Sequence, residues 1–160
     1  MPVIDPFRSA DYLQRRVASA CDALLLGLDA AQLRMHDVLV DLTDEEYQWE
    51  PLPVSERSAD MALPPEKKRV WRVYRREQQW TYDYAGGRLI PPPFTTIAWL
   101  ANHVVSTADM YWYCIRTGQP AGKTRDWSDI VVPSTRQAMS DSLTAVFSEI
   151  RAYLLKFGPK

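Results

Sequence analysis

The chain has 160 residues, 46% hydrophobic and 24% charged, with 19 Lys plus Arg against 20 Asp plus Glu. That is the composition of one globular domain; it excludes a disordered chain, and a net charge of −1 excludes a general nucleic-acid binder. Six Trp in this length point to a substantial core, a pocket or an interface.

Three segments carry helical periodicity. In the first, about Asp11 to Val40, the apolar residues Val17, Cys21, Leu24, Leu28, Ala31, Met35 and Val38 recur at alternating spacings of four and three, one stripe down a long helix. Gly27 inside it costs about 1 kcal/mol relative to Ala, which the stripe outweighs. The excursion that follows, residues 42–94, is too long for a structureless loop. Thr43 and Glu46 form a capping box, which predicts a short helix there. Val70 to Arg76 and Gln79 to Tyr84, rich in Trp, Tyr and Val, predict short strands, and Ala85-Gly86-Gly87-Arg88 a turn.

The second long helix is predicted from about Thr96 to Arg116. Pro91-Pro92-Pro93 blocks helix before it, Thr95 offers an N-cap, and Gly118 and Pro120 end it. One stripe holds Thr96, Leu100, His103, Thr107, Met110 and Cys114, and the next holds Ile97, Ala101, Val104, Ala108, Tyr111 and Ile115. Two adjacent apolar stripes predict a central helix covered on two sides. The third helix is predicted from about Thr135 to Phe157, with a Ser134/Gln137 capping box and a Gly158-Pro159 stop. Its stripe is Met139, Leu143, Val146, Ile150, Tyr153 and Phe157. No repeat and no second domain interrupts residues 1–160.

No apolar run approaches the roughly 20 residues of a membrane span. The start Met1-Pro2-Val3-Ile4-Asp5-Pro6 lacks the basic and apolar parts of a signal peptide, so a cytoplasmic protein without a membrane partner is expected. Cys21 and Cys114 form no CxxC pair and read as two buried thiols, with a disulfide between them the alternative. Neither has an evident basic partner that would activate it.

Charge is uneven. Residues 66–88 carry 7 basic and 3 acidic side chains on a chain that is otherwise mildly acidic. Lys67, Lys68, Arg69, Arg72, Arg75 and Arg76, interleaved with Val70, Trp71, Val73 and Tyr74, read either as a solvated strand face or as a grip on a phosphate or carboxylate. Of two histidines, His36 lies near the end of the first helix, where it favours the helix C-terminus. His103 lies mid-helix, one turn after Trp99. It reads either as a core histidine bonded to a carbonyl or as a metal ligand or general base lining a pocket between helices. The chain has no HxxxH, HExxH, GxSxG, P-loop or GxGxxG motif.

The segment Pro91-Pro92-Pro93-Phe94-Thr95-Thr96-Ile97-Ala98-Trp99-Leu100-Ala101-Asn102-His103 resembles the DinB/YfiT-like superfamily, most closely its actinobacterial branch. Leu42-Thr43-Asp44-Glu45-Glu46 with Trp49 and Pro51 resembles the family's link after its first helix. Trp71 to Glu77 and Trp80 to Tyr84 resemble its inserted segment, and Gly118, Asp126-Trp127 and Val132-Pro133 its later linker. The resemblance implies an all-α, up-down-down-up four-helix bundle and a cytoplasmic homodimer. It also implies a divalent metal, Zn or Ni, held by three histidines, and a transferase or isomerase acting with a low-molecular-weight thiol such as mycothiol or bacillithiol. His103 matches the first of those histidines.

On this resemblance His103 is the expected metal ligand, with Trp99, Thr107 and Met110 lining the substrate pocket; on charge alone, Arg72, Arg75 and Arg76 are expected to meet an anionic cofactor. The other two histidines belong to an HxxxH-type pair on a fourth helix, which the sequence to Lys160 does not contain. The expectation is therefore an incomplete or degenerate bundle with three long helices. The alternative is a non-catalytic small-ligand-binding or oligomerisation module. A nucleic-acid accessory role is weaker still, because the net charge opposes it.

Overall fold

The computed structural model describes residues 20–87, 89–120 and 130–156. Three long helices dominate: α1 (Ala20–Leu39), α4 (Ile97–Thr117) and α5 (Arg136–Leu154). Between the first two lie α2 (Asp44–Tyr47), α3 (Val54–Met61), a 3₁₀ turn (Pro65–Lys67), β1 (Val70–Trp71), β2 (Val73–Arg76), β3 (Gln79–Tyr82) and β4 (Phe94–Thr95). The fold is mostly helical with a small strand-bearing excursion, as expected. The helix α3 was not expected; Pro53 stands at its N-cap, with no side-chain cap bond.

The capping box at α2 forms in full. Thr43 Oγ1 accepts from the Glu46 amide, and the Thr43 amide donates to Glu46 Oε2 at 2.8 Å. These bonds hold the Glu46 carboxyl below its usual range. Two other predicted caps move by one residue. Phe94 and Thr95 pair in parallel with Val70 and Trp71, and the Thr96 amide donates to Trp71 O. The strand thus consumes Thr95, and Thr96 caps α4 by accepting from the Trp99 amide. At α5 the cap is Thr135, accepting from Ala138. Ser134 instead presents its carbonyl to Gln48 Nε2, and Gln137 bonds Asp141. Gly118 closes α4 at φ 67°, a left-handed conformation that suits glycine.

The core joins Leu39, Tyr47, Val73, Ala98, Ala101, Val105, Met139, Leu143 and Phe147. The helix α5 packs along both α1 and α4. Cys21 Sγ meets the carbonyl of Leu154 at one end of α1, and His36 faces Ser140 across a groove at the other, so α1 and α5 run antiparallel. Asn102 reaches Pro133 O, and Trp112 Nε1 donates to Glu149 Oε2 a helix length away, so α4 and α5 run parallel. Thus α1 runs opposite to α4 and α5, which share one direction.

Two expectations change. The face that α1 buries passes through Cys21, Leu25, Leu28, Gln32, Met35 and Leu39, while Leu24 and Val38 of the predicted stripe are exposed. The central helix among the described residues is α5, not α4. On α4, Leu100 of the first predicted stripe and Ile97, Tyr111 and Ile115 of the second are exposed, while Met110 and Ala101 are buried, because α5 and the excursion pack on its other sides. Both cysteines are free and half-buried. No described helix is long and apolar enough to cross a membrane. Val17, Phe157, the Asp126-Trp127 match and the Gly158-Pro159 stop lie outside the described residues.

Candidate functional site

The site begins with the β2–β3 hairpin. Its β-branched and aromatic residues suit a pleated surface, and Glu77 at φ 57° turns the chain. The register pairs Val73 with Tyr82, Tyr74 with Thr81, Arg75 with Trp80 and Arg76 with Gln79. Directly paired residues share a face and neighbours alternate, so Val73, Arg75, Trp80 and Tyr82 lie on one face. That face meets α4. Val73 enters the core, and the Tyr82 and Ser106 hydroxyls hydrogen-bond at 3.1 Å.

Trp99 links the hairpin to the middle of α4. It packs against Trp71, with ring centroids 5.1 Å apart, and meets Tyr82 edge-on. Its indole N–H donates to the carbonyl of Asp83. On its other side it stacks on His103, centroids 5.0 Å apart and planes 12° apart, as their i, i+4 spacing allows. The imidazole is thus held from behind, and neither ring nitrogen has a hydrogen-bond partner among the described residues. The carbonyl-bonded core histidine considered from the sequence is not what forms.

In front of His103 lies a cavity of about 560 Å³. Trp80, Thr81, Tyr82 and Gln79 of β3, with Tyr84, form one wall. His103, Thr107, Met110 and Tyr111 of α4 form another, and Ile130 and Val132 close a third side. Apart from His103 no lining residue is ionisable near neutral pH. His103, Thr107 and Met110, which share a stripe in the sequence, converge here. Trp99 does not line the cavity; it backs His103. Trp80, Tyr82, Tyr84 and Tyr111 went unassigned in the sequence reading, although the alternation of Trp80, Tyr82 and Tyr84 along one strand was a usable signal.

The basic excursion divides. Arg72 is buried: its Nη2 lies 2.8 Å from Asp60 Oδ2 and 2.7 Å from Glu50 Oε2. Two carboxylates satisfy its charge inside the fold, which removes it from the anion-binding role expected of it. Lys68 is likewise buried against Asp83, and Arg69 pairs with Glu56 and Asp60. Arg75 and Arg76 are exposed and unpaired among the described residues, on opposite faces of the hairpin.

Burial pushes the Asp60 carboxyl upward, but bonds from the Arg69 amide and the Arg72 guanidinium, that cation's charge and the Val70 amide together hold it below its usual range. A carboxylate depressed on folding contributes stability above its unfolded pKa of about 3.9, lost as pH falls through the lower folded value. The urea midpoint is therefore expected to hold down to about pH 5 and to drop below about pH 4. Asp60→Asn should flatten that drop when both proteins are unfolded across pH 7 to 3; an identical acid profile would show that Asp60 does not carry it.

The DinB superfamily profile matches residues 27–159, most of the chain and all of the site just described. The chain belongs to the DinB superfamily. No curated protein and no solved structure gives a significant match to it. The resemblance implies a metal centre at His103. A protein metal site takes about three donors. Among the described residues no group of three His, Cys, Asp or Glu side chains could hold a metal ion. His103 is surrounded by Trp99, Thr107 and Met110, which supply no second ligand of that kind, so these residues do not fit a metal centre.

Proposed function

We propose that this DinB superfamily chain binds a small molecule in the cavity between β3 and α4, with His103 hydrogen-bonding the ligand. One observation carries the proposal. A histidine pinned from behind by Trp99, with both nitrogens unpartnered among the described residues, opens onto an aromatic cavity of about 560 Å³. Ligand pockets of a few hundred Å³, mostly apolar with few polar groups, are the usual form of small-molecule sites. A metal- and thiol-dependent transfer would need further metal ligands, or a base beside His103, to generate a thiolate. The described residues give no support for either, so binding is favoured over transfer.

Isothermal titration with 2-naphthamide, a neutral planar probe, tests this reading. Saturable one-to-one binding is expected. Filling the cavity with Thr107→Trp should abolish it without shifting the melting temperature by more than a few degrees. His103→Ala should weaken it roughly threefold to tenfold, the net value of one hydrogen bond. Absence of saturable binding, or binding unchanged in Thr107→Trp, would overturn the proposal.

A further inference from the structure

The described lining of the cavity carries no fixed charge, yet Arg75, unpaired among the described residues, stands beside it. In the register of the hairpin Arg75 is directly across from Trp80, and Trp80 lines the cavity. Paired residues in an antiparallel ladder have Cβ atoms about 5 Å apart on the same face, so Arg75 shares the face that Trp80 and Tyr82 turn toward α4. The neighbouring described cations from Lys68 to Arg76 differ. Arg72 and Lys68 are buried with Asp60, Glu50 and Asp83, and Arg69 pairs with Glu56. Arg75 has no ion pair among the described residues, and Arg76 is turned to the opposite face by the strand's alternation.

We infer that the ligand class of this pocket is a planar aromatic carboxylate, its ring system held among Trp80, Tyr82, Tyr111 and Met110 and its carboxylate at the rim on Arg75. This rests on the small-molecule reading above and deepens it. Rings favour rings through offset and edge-on contacts. A guanidinium offers a carboxylate a planar, two-pronged donor. Unsatisfied and exposed, Arg75 spends nothing on an internal partner, so an incoming anion displaces only water.

The test compares 2-naphthoate with 2-naphthamide, which have the same ring and nearly the same shape and differ in charge. In low-salt buffer the carboxylate is expected to bind about fivefold more tightly, the order of one exposed charge pair. The preference should shrink toward unity in roughly 0.5 M NaCl, where the screening length falls to a few ångströms. Arg75→Ala should bring the two affinities within about twofold, and Arg75→Glu should make the amide the better ligand. Arg76→Ala, on the other face, should leave the ratio as it is. Saturable amide binding with no carboxylate preference, or a preference that survives Arg75→Ala, overturns this inference and leaves the pocket reading standing. Failure of both probes to bind overturns both.

Discussion

Replacing Asp60 by Ala is expected to lower the unfolding free energy by about 3 to 5 kcal/mol, the scale for removing one partner of a buried ion pair. Asp60 is 1% exposed, accepts from the Arg69 amide at 2.8 Å and faces Arg72 at 2.8 Å. Nε and Nη1 of Arg72 are already buried without hydrogen-bond partners among the described residues, so its guanidinium depends on Asp60 and Glu50. Without Asp60 that cation is half-compensated in a site closed to water, and the Arg69 amide also loses its acceptor. The loss should reach the ligand pocket, because Arg72 lies between β1 and β2 and its carbonyl and amide bond Asp83. Loosening it releases the hairpin that carries Trp80 and Tyr82. Urea unfolding at pH 7 reads the effect. A change below about 1 kcal/mol, the range of surface pairs, would mean that the cluster is hydrated in solution.

The second large effect is expected in the helical core. Leu143→Ala should cost about 3 kcal/mol, within the usual range for a buried leucine that leaves a cavity. Leu143 is 2% exposed and sits on α5 beside Met139 and Phe147, where α1 and α4 both pack. Leu24→Ala should change stability by no more than about 0.5 kcal/mol, as surface substitutions do, because Leu24 is 59% exposed. Both leucines occupy stripe positions by sequence periodicity, so the pair separates helical pattern from actual packing. Equal costs would contradict the placement of α5 between the other two long helices.

Periodicity located the long helices because a 3.6-residue repeat leaves a strong mark over twenty residues. It was less able to say which side of a helix is inside. On α1 the apolar residues cover enough of the circumference that Leu24 and Val38 looked as good as Leu25 and Leu39, and only packing against α5 chooses. On α4 the two stripes implied two covered sides, but Leu100 of the first and Ile97, Tyr111 and Ile115 of the second are exposed, while Ala101 of the second is buried. Capping by Thr43 was legible because both bonds are local, whereas the cap of α4 moved to Thr96 because a partner 24 residues earlier in sequence, Trp71, drew Phe94 and Thr95 into a strand.

The candidate site follows the same division. His103, Thr107 and Met110 share one helix face and could be grouped from spacing. Trp80, Tyr82 and Tyr84 reach them only through the fold of the hairpin onto α4. Composition alone also hid the fate of the arginines: Arg72 and Arg75 look equivalent in a basic run, yet Arg72 meets the buried carboxylates of Glu50 and Asp60 while Arg75 meets solvent.

The central claim, that the cavity in front of His103 holds a small planar molecule, is tested most directly by methyl NMR of protein labelled at methionine. Met110 lines the cavity, while Met35, Met61 and Met139 lie elsewhere. Titration with 2-naphthamide should shift the Met110 methyl resonance progressively to saturation, through the ring current of the bound probe, and leave those of Met35, Met61 and Met139 in place. A Met110 resonance that stays fixed at saturating probe, or one that moves no more than the others, would contradict the claim.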